Sequence, residues 1–340
     1  MTGLQERVHT AASLALAVAI YASLTSCRSA EARSEPSIEF TRVPTAADGG
    51  PDNVEAIEGR VRGARPGQQV VLYALSGAWW VQPSGPHPFT EVQKDSTWKS
   101  TSHLGVVYAA LLVEPGYRPP YKIDALPEKG GLVLAVAAVR GTEPASPPKM
   151  VDFSGYQWEV LHAPERENIR VDDRGFLHLQ LIKERGKWMT AEVKLSRSLG
   201  YGTYKFVVSD VEHLEPDAVL ALFTYDLFGP SHEIDIEISR WGEPEDKNAQ
   251  YVIQPYIVPA NTVRFAAPSG RLTFLMDWQP GRASFKTIRG ASDLVEEHVF
   301  TSGVPPAGTE QVRINLYAYG GRIKMQQETE VIVEKFEFLP

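Results

Sequence analysis

The stretch His232-Glu233-Ile234-Asp235-Ile236-Glu237-Ile238-Ser239 alternates acid and isoleucine without a break. A β-strand sends successive side chains to opposite faces, so Ile234, Ile236 and Ile238 fall on one face and Glu233, Asp235 and Glu237 on the other. The simplest account is an amphipathic strand with its polar side in water. Its electrostatics ask for more. Neighbouring carboxylates on one face lie about 7 Å apart and repel by roughly 0.6 kcal/mol per pair in bulk water, several times more in a partly dry setting. No Lys or Arg intervenes to offset that repulsion.

Working outward, the same kind of segment recurs: Phe176–Ile182, Thr190–Leu195, Thr203–Val208, Val219–Tyr225, Tyr251–Val258, Arg271–Asp277, Ala283–Ile288, Val312–Tyr319 and Val331–Phe338. No stretch sustains a helical period over three turns. About ten mostly alternating strands in roughly 190 residues predict an all-β, antiparallel jelly-roll sandwich over residues 150–340. Upstream, Ile57–Arg62, Gln69–Ala74, Val106–Val113 and Leu132–Val139 are short apolar runs separated by Pro115-Gly116, Pro119-Pro120 and Gly130-Gly131. They predict a small β-sandwich over residues 55–142. Gly141–Lys149, with Pro144, Pro147 and Pro148, reads as the linker between the two. No internal repeat is visible.

The N-terminus reads differently. Arg7 and His9 precede an apolar run from Ala11 to Leu24, too short for a membrane span and of the proportions of a signal-peptide core. Leu24-Thr25-Ser26-Cys27 resembles the lipobox of bacterial lipoproteins, which implies a signal peptide over residues 1–26 and Cys27 as the lipid attachment point. An ordinary cleaved signal is the alternative. Residues 27–54, rich in Ser, Ala, Pro and acids, read as a flexible tether. The expected location is the cell envelope, at the outer membrane or cell surface, with Arg28 after the cysteine favouring export.

Composition narrows the chemistry. Cys27 is the single cysteine among 340 residues, which forbids an internal disulfide and a thiolate zinc site. A net charge of −8 with mixed signs offers no basic face, so nucleic acid is not an expected partner. The eight histidines show no metal-ligand spacing, and no P-loop, dinucleotide fingerprint or nucleophile elbow is present. No cofactor or catalytic metal is expected; a loop-bound structural calcium cannot be located from sequence.

Paired carboxylates suit glycoside hydrolysis. Retaining enzymes hold two carboxyl groups about 5–5.5 Å apart, one attacking the anomeric carbon and the other protonating the leaving oxygen. Glu233 and Glu237 have backbones about 13 Å apart, and their side chains can lean together across Asp235. The Glu233-Ile-Asp235-Ile-Glu237 pattern resembles the signature of glycoside hydrolase family 16, the laminarinase and lichenase group with a concanavalin A-like jelly roll. More of that pattern follows in order: Ala191-Glu192-Val193 leading to Gly200-Tyr201-Gly202-Thr203-Tyr204, Phe223-Thr224-Tyr225, Asp277-Trp278-Gln279-Pro280, Ile314-Asn315-Leu316-Tyr317 and Val333–Phe338. The resemblance covers about residues 150–340.

It implies Glu233 as nucleophile, Asp235 as its assisting carboxylate and Glu237 as general acid/base. It also implies a polysaccharide substrate, a β-1,3- or mixed-linkage glucan or related β-glycan, cut at internal linkages. Phe223, Tyr225, Gln254, Tyr256, Asn315 and Tyr317 stand at positions that line the sugar cleft of such enzymes, where aromatic faces cover pyranose rings and amides bond hydroxyls. Ordinary sandwich core is the competing role for the aromatics. Three departures point away from lichenase-type specificity: Ser231 replaces a Trp, Gln254 replaces an Asn, and Phe285–Gly290 replaces an aromatic turn. A non-catalytic carbohydrate-binding protein and a structural envelope protein are the other function classes. Trp79-Trp80 with Tyr73, Trp98 and Tyr108 would offer a stacking platform on the first sandwich, with core filling as the competing role.

Overall fold

The computed structural model describes residues 35–49, 53–83, 87–162, 164–227 and 232–340. The expected signal peptide and Cys27 lie outside them, as does Ser231. Among the described residues the regular structure is β throughout, apart from one 3-10 turn at Pro259–Asn261, and no helix is long and apolar enough to cross a membrane.

Residues 37–140 contribute β1 (Ser37–Arg42), β2 (Val54–Arg62), β3 (Gln69–Leu75), β4 (Trp79–Gln82), β5 (Thr90–Glu91), β6 (Thr97–His103), β7 (Val107–Val113), β8 (Lys122–Ile123) and β9 (Val133–Arg140). β1, β2 and β6 form one sheet; β8-β4-β3-β7-β9, with β5 on β3, form another. Ile57, Val61, Leu72, Trp98, Tyr108 and Leu112 fill the space between them. Val71, Tyr73 and Leu111, on the opposite face of the second sheet, are covered by loops carrying Phe89, Tyr117 and Leu126. Covering both faces explains why Val70–Leu75 is a continuous apolar run rather than an alternating one.

Two expectations are corrected here. The tether expected over residues 27–54 gives way to β1, which pairs with β2 along Ser37–Arg42. Ile38 buries in the core and the Phe40 ring meets Trp98 edge-on at 5.6 Å. The stacking platform does not form as a unit either, because Tyr73, Trp98 and Tyr108 are fully buried core.

Residues 150–339 contribute β10 (Met150–Phe153), β11 (Tyr156–Leu161), β12 (Ile169–Val171), β13 (Leu177–Glu184), β14 (Lys187–Met189), β15 (Ala191–Leu195), β16 (Gly202–Val208), β17 (Ala218–Tyr225), β18 (Glu233–Ile238), β19 (Ala249–Ile253), β20 (Thr262–Phe265), β21 (Leu272–Gln279), β22 (Arg282–Arg289), β23 (Asp293–Phe300), β24 (Gln311–Ala318) and β25 (Thr329–Leu339). They build two sheets of antiparallel strands, ordered β10-β11-β15-β24-β17-β18-β19-β20 and β12-β13-β25-β16-β21-β22-β23. One continuous core lies between, from Trp158, Leu179 and Phe206 to Ile236, Phe274 and Leu316. This is the all-β sandwich expected from the alternation. The strand expected over Tyr251–Val258 ends at Ile253, since Pro255 has no N–H for the ladder.

The Ile234-Ile236-Ile238 face of β18 supplies the force that holds its acids in place. All three side chains are at most 1 % exposed, and truncating one to Ala would cost about 2–5 kcal/mol. A one-residue slip would move every isoleucine out of the core, so the register of the carboxylates is fixed by the apolar side of their own strand.

Candidate active site

Directly opposed residues of antiparallel strands share a face, so the ladder itself assembles the site. Glu233, Asp235 and Glu237 on β18 lie opposite Tyr225, Phe223 and Ala221 on β17. Phe223 and Ala221 in turn oppose Arg313 and Asn315 on β24, with Tyr317 opposite Val219 one step along. On the other flank Gln250 of β19 lies opposite Glu237 and Val252 opposite Asp235.

The bland account of a solvated polar face does not describe this arrangement. Asp235 is 2 % exposed, and Glu233 and Glu237 are partly buried on either side of it. Burial pushes Glu233 up to about 7, aided by the charge of Glu237 and opposed by a hydrogen bond from Asp235 and by Arg313. Burial holds Asp235 well above the usual carboxylate range, and the charges of Glu233 and Glu237 push it further. Glu237 is raised by burial too, against the hydrogen bond from Gln250 and the charge of Arg264.

Two glutamines orient the trio. Nε2 of Gln254 donates to Oδ2 of Asp235 at 2.9 Å, and Nε2 of Gln250 donates to Oε2 of Glu237 at 2.6 Å. Oδ1 of Asp235 is buried without a protein N–H or hydroxyl donor. The neighbouring Glu233 carboxyl interacts with Asp235 in the sense that keeps Asp235 protonated and favours ionised Glu233.

Beside the acids lies a charged cluster that sequence reasoning missed. Nη1 of Arg313, whose side chain is 5 % exposed, is 3.0 Å from Oε1 of Glu192 and 3.1 Å from Oδ2 of Asp48. Lys194 bonds the same Asp48 oxygen at 3.3 Å, and His162 approaches Glu192 at 3.6 Å. The hydrogen bond to Glu192 raises the His162 pKa. For Glu192, burial works against ionisation, but His162 and Arg313 outweigh it and the group is lowered. The Arg313 guanidinium also sits over the Tyr225 ring, 4.8 Å from its centroid.

The expected binding residues separate into two sets. Phe223 is buried beside Tyr225, their rings edge-to-face at 6.4 Å. The register of β24 puts Tyr317 on the same side of the sheet as the trio, and burial raises its phenol, with the charges of Glu237, Asp235 and Glu233 raising it further. Oδ1 of Asn315 is buried and unpaired on the same face. Gln254 is engaged with Asp235, as above. Tyr256 stands apart: the chain turns at Pro255, the ring is 62 % exposed, and the residue's N–H donates to Oε1 of Gln254. Among the described residues Tyr256 makes no hydrogen bond to the three carboxylates, and no group of three or more His, Cys, Asp or Glu side chains is arranged to hold a metal ion.

No family model and no curated protein matches the chain. Solved structures do. A β-glucanase of Bacillus licheniformis is similar at 17% identity over 58% of this chain and 100% of its own, with a TM-score of 0.42. A β-1,3-glucanase of Mycobacterium marinum is similar at 16% identity over 58% and 100%, with a TM-score of 0.43. An immunostimulatory antigen and pseudo β-1,3-glucanase of Mycobacterium tuberculosis is similar at 17% identity over 52% and 88%, with a TM-score of 0.42.

Proposed function

We propose that the acidic face is the active site of a retaining glycoside hydrolase that cuts internal β-linkages of a polysaccharide, a β-1,3- or mixed-linkage glucan or a related β-glycan. The observation that carries this reading is the burial of Asp235 between two glutamates. A protein that only binds sugar gains nothing from three mutually repelling carboxylates held partly dry, whereas a hydrolase needs carboxyl groups in different protonation states at neutral pH.

The roles follow from the partners. The interaction with Asp235 and the positive charge of Arg313 favour ionised Glu233 against the burial that raises it to about 7. Glu233 attacks the anomeric carbon, forming a glycosyl ester as the bond to the leaving oxygen breaks. Glu237, raised by burial and with its Oε2 held by Gln250, protonates that leaving group. Water then adds to the anomeric carbon, gives its proton to Glu237 and releases Glu233. Oδ1 of Asn315 is an acceptor already in place for a sugar hydroxyl, and the ring of Tyr317 is a wall for a pyranose face.

Reducing-end release by the wild type and by Glu233→Gln, across β-glucans, galactans and xyloglucan, tests the reading. Cleavage of at least one polymer by the wild type alone, with the β-anomer seen first by NMR, is the expected result. Binding without cleavage by the wild type would make the protein a lectin. Lipid attachment at Cys27, and with it an envelope location, belongs to the same proposal; a mature N-terminus other than a lipid-modified Cys27 in mass spectrometry would remove it.

A further inference from the structure

Tyr225 has a second environment. Its hydroxyl lies against the backbone of Gly77, where an added Cβ would come within 1.8 Å of it. Gly77 N–H donates to Leu227 O at 3.0 Å, and Leu75 and Val106 pack on Leu227. On that side the Tyr225 ring forms one wall of a cavity of about 460 Å³, whose other walls include Trp80, Tyr121, Gln82, His103 and Ser76. The volume falls in the range of about 300–1,000 Å³ typical of small-molecule sites. The cavity touches the acidic face through Tyr225.

Its lining has a definite chemistry. Trp80 and Tyr121 meet edge-to-face at 5.6 Å, and Tyr121 is 61 % exposed. The Gln82 amide is 3 % exposed and its orientation is fixed, because Oε1 accepts the His103 backbone N–H at 3.1 Å while Nε2 donates to Trp80 O at 3.3 Å. The same Oε1 lies 3.0 Å from Nδ1 of His103. An amide oxygen only accepts, so Nδ1 carries the hydrogen and the neutral ring keeps its lone pair on Nε2. Aromatic walls with the His103 acceptor, fixed by Gln82, between them match a pyranose, which presents apolar C–H faces and hydroxyl edges.

We propose that this cavity is a saccharide-binding subsite supplied by the first sandwich, which holds the part of a glycan that runs from the acids past Tyr225. The identity of the ligand rests on the glycosidase reading; the site itself rests on Trp80, Tyr121, Gln82 and His103. Because Tyr225 lies opposite Glu233, only chains long enough to cross it reach both places.

The full-length protein carrying Glu233→Gln, which binds without turnover, is titrated by calorimetry with β-1,3-linked, mixed-linkage, galactan and xyloglucan oligosaccharides of two to six units. Tyr121→Ala and Trp80→Ala are added separately, with circular dichroism as the control for folding. Tyr121, being exposed, can be removed without disturbing the core. The expected result is a tenfold or greater loss of affinity for the longer members of at least one series, with its disaccharide unchanged. Affinities within twofold of the parent for every oligosaccharide overturn the subsite, whether or not the wild type cleaves polymer. Absence of binding by the parent at millimolar concentration also overturns it, and polymer cleavage by the wild type then judges the hydrolase reading separately.

Discussion

Oδ2 of Asp48 lies 3.1 Å from Nη1 of Arg313, joining the segment between β1 and β2 to the middle of the acidic sheet. Arg313 keeps Glu192 as a second partner and Lys194 keeps Glu159 at 3.5 Å, so the loss of Asp48 leaves both cations partly compensated. Breaking a buried pair typically costs about 3–5 kcal/mol. With these remaining partners we expect Asp48→Asn to lose about 2–3 kcal/mol in urea unfolding and to lower kcat through the displaced guanidinium beside Tyr225 and Glu233. Stability and kcat both equal to wild type would mean that Asp48 neither braces the sheet nor positions Arg313.

Glu233 gives a prediction whose sign depends on pH. Its pKa is raised from 4.5 to about 7 in the folded protein. Between those values the folded state holds a proton that the unfolded chain releases, so the stability associated with it is complete below about 4.5 and is lost as pH rises through about 7. A tenfold difference in proton affinity between the two states is worth about 1.4 kcal/mol, and the partial exposure of the side chain reduces the total. Glu233→Gln should therefore stabilise the protein by about 1–3 kcal/mol at pH 8 and by close to nothing at pH 4, while abolishing turnover. Equal effects at both pH values would place the group in an ordinary solvated environment.

The alternation around β18 made the sandwich and the acid trio legible, because one strand carries all three carboxylates and their apolar counterweight. The edge strand β23, Asp293–Phe300, was not legible: its burial is slight and its acids face water, as edge strands require. β12, β14 and β20, at three or four residues each, are too short to show a period. The charged cluster escaped for another reason. Arg313 and Glu192 are 121 residues apart, and each reads alone as one more polar residue on an alternating strand. Gln250 carried a usable signal, since it shares parity with Gln254 across β19 and so faces the same side as the acids. Tyr256 is named by resemblance alone, and beyond the turn at Pro255 its ring is exposed.

Gln254 holds the buried carboxyl of Asp235 at 2.9 Å. Its bond favours the ionised form of Asp235 and sets the direction of the carboxyl beside Glu233. Gln254→Met keeps the volume and removes the donor, leaving an unsatisfied buried carboxyl oxygen at a cost of about 1–3 kcal/mol. The Asp235 pKa rises further and its orientation loosens. We expect kcat to fall about 10–100-fold with KM nearly constant, since the glutamine acts through Asp235. A changed KM with constant kcat would instead place Gln254 against the substrate.

Gly77 sets the first sandwich against Tyr225 of the acidic face. Its φ of +67° is costly for any other residue, and a Cβ would collide with the Tyr225 hydroxyl. Gly77→Ala must therefore move either the loop or the tyrosine. The strain alone is worth about 1–2 kcal/mol, and the clash adds to it unless Tyr225 rotates toward Glu233. The expected outcome is a modest loss of thermal stability with a larger loss of kcat/KM on long glycans than on short ones, because Tyr225 is the wall shared by the acids and the cavity. Gly77→Ala combined with Tyr225→Phe removes the 1.8 Å contact but leaves the ring carbon Cζ at 2.6 Å, so it should restore only part of both losses. If the double variant is no better than Gly77→Ala alone, the hydroxyl contact is not the source of the damage.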